Sequence, residues 1–101
     1  MTHMGTLSHA LERLQQEGFR ESFRVEPPVL RALADGRRFA PEALVTERVL
    51  RFEGESNPDD ESIVFALRSA DGDLRGTLVA GFGHEADPEA AEVIRRLPPP
   101  R

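Results

Sequence analysis

The chain has 101 residues, 39% of them hydrophobic and 31% charged, which suits a single domain spanning 1–101 and leaves no room for a second. It contains no cysteine, so disulfides, thiolate catalysis and cysteine-bound zinc are excluded. The formal net charge of -5 and the lack of an aromatic-plus-basic platform argue against a nucleic-acid partner.

In chain order, the first expected element is a helix. Thr6 can cap it, and Leu7, Ala10, Leu11 and Leu14 form one apolar stripe at helical spacing. Gly18 stands where a left-handed residue ends a helix, and Phe19 where a Schellman motif returns an apolar contact to Leu14. The run F-R-E-S-F-R-V-E then puts Phe19, Glu21, Phe23 and Val25 on one parity, a short strand stopped by Pro27-Pro28. Val29, Leu30 and Leu33 fit either a short helix ending at Gly36 or a strand leading to a turn at Asp35-Gly36. Propensity slightly favours the helical turn.

Pro41 to Leu44 suggests one helical turn before a strand over Val45–Glu53. Ser62–Ser69 is the most apolar run, as expected of a central strand, and Asp71-Gly72 is a hairpin signal leading to its partner strand. Asp87-Pro88-Glu89 opens a second helix whose buried face is Ala90, Val93, Ile94 and Leu97, ended by Pro98-Pro99-Pro100. The fold class is therefore α+β: an N-terminal helix, an antiparallel meander of three to four strands, and a C-terminal helix, with the helices on one face of the sheet. Residues 1–5 and 98–101 are expected to be disordered tails.

The densest local pattern is R-F-E-G-E-S-N-P-D-D-E-S-I, from Arg51 to Ile63. Asn57-Pro58-Asp59-Asp60 has the residue order of a type I turn, and its carboxylates read first as a solvated bend. A cation held by Asp59, Asp60 and Glu55 or Glu61 is the competing reading, but Pro58 breaks the spacing of a calcium loop. Arg51 can pair with Glu53 or a turn carboxylate and hold the bend.

This motif, with the later D-G, G-x-L-V and Gly83, resembles a family of short bacterial proteins of unknown function. Many of its members carry the inherited label phosphoribosylpyrophosphate synthetase. The resemblance spans Leu7 to about Glu85 and implies no activity. Family members commonly have an aspartate after the L-V pair, where this chain has Ala80. The labelled chemistry needs a nucleotide cradle, and the sequence has neither a glycine-rich phosphate loop nor any lysine. All 13 basic residues are arginine, which fits a GC-rich genome, with a salt-adapted proteome as the second reading.

His3 and His9 read as solvated, and His84 lies in G-F-G-H-E-A-D beside Glu85 and Asp87, a pattern able to supply a general base. Gly81 and Gly83 suggest a bulge or a close backbone approach. No serine has an elbow motif around it. The sequence therefore points to a non-enzymatic binding or regulatory module, with Arg51, Glu53, Asn57, Asp59, Asp60 and His84 as its binding residues. The alternative is a minor metal-dependent hydrolase built from His84 and the hinge carboxylates. No cofactor or bound metal is expected. The partner would be a protein or a small polar ligand, and the chain a monomer or weak homodimer, with prolines leaving a strand edge open. No apolar run reaches the ~18 residues of a membrane helix, and the N-terminus lacks a signal-peptide pattern, so a cytoplasmic location is expected.

Overall fold

The computed structural model describes residues 7–52, 62–81 and 88–100. Along the chain run α1 (Leu7–Gln16), β1 (Glu21–Glu26), β2 (Val29–Ala32), β3 (Arg38–Phe39), a 3-10 turn (Pro41–Ala43), β4 (Leu44–Phe52), β5 (Ser62–Ser69), β6 (Arg75–Gly81) and α2 (Pro88–Arg95). The strands form one six-stranded sheet in the order β3-β2-β1-β6-β5-β4. All neighbouring pairs are antiparallel except β1 and β6, which run parallel. The expected meander is β4-β5-β6, and β1–β3 extend it beyond three to four strands across the parallel joint. No described helix is long and apolar enough to cross a membrane.

Local chemistry explains most of these elements. At the end of α1, Phe19 N–H donates to Leu14 O at 2.9 Å and Gly18 N–H to Gln15 O at 3.1 Å, with Gly18 at φ +108°. That is the Schellman pattern, and Phe19 and Leu14 bury together. The β5–β6 turn is held by Ser69, whose hydroxyl donates to Asp71 at 2.6 Å and accepts from Leu74 N–H at 3.0 Å, while Gly72 takes φ +77°. Pro27-Pro28, joined by a cis bond, does more than stop β1: it forms the loop that brings Val29 opposite Glu26.

Of the two readings open for residues 29–32, the strand is the one formed and the slightly favoured helical turn is not, because Leu30 and Ala32 alternate into the core while Val29 and Arg31 face the other way. The turn follows at residues 33–36, with Gly36 N–H donating to Ala32 O at 2.9 Å. The prolines also leave no open edge, since β1 pairs on both sides and the outermost strands are β3 and β4.

The helices lie on opposite faces of the sheet, not on one. Ile63, Phe65 and Leu67 of β5 join Phe23, Leu30, Leu44 and Leu78 in a cluster closed by Val93 and Leu97 at α2. The alternate residues Val64 and Ala66 pack with Leu14 and Phe19 on the α1 side, where Leu11 and Leu50 join them. Successive strand residues point to opposite faces, so β5 is buried on both and needs a cover on each side.

Candidate functional site

Of the residues singled out in the sequence, Arg51 is exposed on β4 directly opposite Ile63, which places it on the α2 face. Glu53, Glu55, Asn57, Asp59, Asp60, Glu61 and His84 lie outside the described residues, as do His3, Thr6, Gly83, Asp87 and the 1–5 tail. Phe52, Ser62 and Gly81 stand abreast in register, so the hinge and the His84 segment join the sheet at the same end. Among the described residues no group of three or more His, Asp or Glu could hold a metal ion. A close backbone approach is found at Gly76, where an added Cβ would lie 2.3 Å from the Glu21 carbonyl oxygen.

The structure assembles a different feature on the α1 face. α1 covers the β4–β6 half of that face through Val64, Ala66 and Leu50. Over β1–β3 no described residue of the same face is buried, and there the registers Arg24↔Arg31 and Arg31↔Arg38 set three arginines in a row across three strands. Neighbouring strands are about 4.8 Å apart, so the row spans roughly 10 Å at the backbone. Arg24 and Arg38 are exposed and Arg31 half-buried.

Like charges directly opposite one another on adjacent strands repel. Glu26, two residues along β1 on the same face, relieves part of this: one oxygen lies 3.3 Å from Arg38 Nε and the other 3.3 Å from Arg31 Nε. The contact to Arg38 is a hydrogen bond, whereas the buried Arg31 Nε has no hydrogen-bond partner. Arg24 has no hydrogen bond or ion pair among the described residues. One carboxylate thus serves two of the three guanidiniums.

The borders of the row are mixed in character. Leu33 N–H donates to Ser22 O at 2.9 Å, continuing the β1–β2 ladder and setting Leu33, 44% exposed, on the open face. Val79 of β6, on the same face as Thr77 and 43% exposed, stands on the other side of β1. Arg20, just before β1, lines an open cleft of about 340 Å³ with Gln15 and Gln16 of α1. An apolar and arginine-rich surface of this kind is chemically suited to binding, not to bond-making, since arginine stays protonated and cannot act as a base.

No single-sequence signal pointed to this row. Arg24, Arg31 and Arg38 are seven residues apart, a spacing that means nothing until two hairpin loops set the register. Comparison with protein-family models, curated proteins and solved structures finds no match, so the functional argument rests on this geometry.

Proposed function

We propose that the chain is a non-enzymatic binding module whose working surface is the open face of β1–β3, and that its ligand is anionic. The observation that carries this reading is the Arg24-Arg31-Arg38 row, held in repulsive register with a single neutralising carboxylate. Exposed Leu33 and Val79 add apolar contact at its margins, as at the core of protein interfaces. A protein that gained nothing from the row would be more stable with one arginine neutral.

The test is an amide-resonance titration with a synthetic hexaglutamate peptide at low ionic strength. Saturable shifts at residues 22–26, 29–33 and 38–39 are expected, weakening as salt is raised because exposed charges are screened over about 10 Å at 0.1 M. Shifts confined to other residues, or unchanged in Arg24→Gln, reject the reading.

The alignment of Phe52, Ser62 and Gly81 favours a second reading. His84 and the hinge carboxylates, joined to the sheet at that shared end, would serve a metal-dependent hydrolase. Zinc or magnesium titration that leaves the His84 and hinge resonances unmoved eliminates it.

A further inference from the structure

We infer that the pair Arg24 and Arg31 is a seat for a phosphoryl dianion, carried by a phosphate monoester. This rests on the binding-module reading above and names the chemistry of its ligand.

The first argument is charge. The ionised side chains on this face of β1–β3 are Arg24, Glu26, Arg31 and Arg38, which leaves two positive charges uncompensated among the described residues. A carboxylate would cancel one. A phosphate monoester carries about -1.5 to -2 at neutral pH and three acceptor oxygens, which matches the excess.

The second argument is hydrogen bonding. Arg24 uses none of its five donors among the described residues, and Arg31, although 3.3 Å from Glu26, makes no hydrogen bond and keeps a buried Nε unsatisfied. The two arginines stand opposite one another on adjacent strands, and guanidinium forks bind phosphate oxygens in pairs. Arginine suits this better than lysine because its donors are fixed in a plane.

The third argument is reach. The chain as a whole is acidic, with a formal charge of -5, so a long polyanion crossing the molecule would meet repulsion. A compact dianion on the row feels only what lies within about 8 Å at physiological ionic strength. The site therefore takes a single phosphoryl group, either on a small molecule or on a phosphorylated side chain of a partner.

Four probes test this by amide-resonance titration of the intact chain: inorganic phosphate, a short phosphoserine peptide, the same peptide unphosphorylated, and hexaglutamate. Saturable shifts on β1–β3 with inorganic phosphate or the phosphopeptide, and none with the unphosphorylated peptide, are expected. Phosphate alone binding as tightly as the phosphopeptide points to a small-molecule source, and tighter phosphopeptide binding to a partner protein. Arg24→Gln should weaken binding about tenfold or more, the value of a charged hydrogen bond. It should also melt no lower than the parent without ligand, because it removes a like-charge neighbour. Arg13→Gln, on α1, should bind like the parent. If hexaglutamate binds as tightly as the phosphopeptide, the phosphoryl assignment fails and the binding module stands. If none of the four binds, both fail.

Discussion

Replacing Gly76 by alanine should open the seam that joins the two halves of the sheet. β1 and β6 meet through the register pairs Glu21↔Gly76 and Ser22↔Thr77, and among the described residues no other strand pair links β1–β3 to β4–β6. An alanine Cβ would stand 2.3 Å from the Glu21 carbonyl oxygen, 2.7 Å from its carbonyl carbon and 2.7 Å from its Cβ. Non-bonded heavy atoms are comfortable at about 3.5 Å, so the strands must part by roughly 1 Å, and no side-chain rotation relieves a clash with backbone. Overpacking of this kind costs about 1–3 kcal/mol, and weakening a seam hydrogen bond adds about 1 kcal/mol. A loss of about 2–4 kcal/mol lowers Tm by about 10–25 °C in a domain of this size. Gly36→Ala and Gly72→Ala are the controls. Both glycines have positive φ, +78° and +77°, and open space around the missing Cβ, so those variants carry backbone strain of about 1–2 kcal/mol and no clash. Thermal unfolding followed by circular dichroism ranks the three. A Gly76→Ala variant that melts within a few degrees of the parent, or above Gly36→Ala, refutes the seam as drawn.

Two further outcomes follow from buried and charged groups elsewhere. Thr46 is fully buried and its hydroxyl has no partner, so the near-isosteric Thr46→Val should raise stability by about 1 kcal/mol in urea unfolding; a loss instead would mean that the hydroxyl is bonded. The Asp71 carboxyl is held below its ordinary range first by the Ser69 hydroxyl and then by the Asp73 N–H, and Glu42 first by the Arg96 guanidinium. Both favour their charged forms in the folded state, so the stability they add is present above the ordinary carboxylate value of about 4 and is lost as pH falls through their lower folded values. Melting temperature measured from pH 7 down to pH 2 should drop along that limb, and Asp71→Asn should flatten the drop; an unchanged limb in the variant removes Asp71 from the account.

The legible parts of the fold are those written in short windows. The end of α1 could be read to the residue, because Leu14, Gly18 and Phe19 each have one role in a Schellman cap and the hydrogen bonds follow it. Asp71-Gly72 likewise marked the β5–β6 turn. Residues 29–32 stay ambiguous between helix and strand in the sequence because a strand of four residues gives two buried positions, too few to outvote helix propensity. The two-sided cover was written in β5, where Ile63 through Leu67 are all buried, yet a meander with helices on one face leaves alternate residues wet. The parallel joint was not legible, since it pairs residues more than fifty positions apart and its only local sign is Gly76. The arginine row shares that fate: its three members meet through register, which no window contains.

The distribution of the arginines gives the row its meaning. Arg48 reaches Glu17 at 2.8 Å and so ties β4 to α1, Arg68 pairs with Glu47 at the β4 bulge, and Arg96 holds Glu42 through two bonds of 2.7 and 3.0 Å, fastening the end of α2 to the 3-10 turn. Arg75 lies over the Phe19 ring, 4.7 Å from its centre. Each of these guanidiniums closes a junction between elements. With 18 acids against 13 arginines, a shortage of carboxylates cannot explain why Arg24 has none among the described residues. Its position does: the neighbours across β2 and β3 are arginines, and Glu26, the acid of the same face of β1, is already held between Arg31 and Arg38. Among the described residues no further carboxylate pairs with Arg24, and an anion from outside the chain would fill that place. A dianion in that place would turn the repulsion between adjacent strands into a shared set of hydrogen bonds, so binding and local stability should rise together.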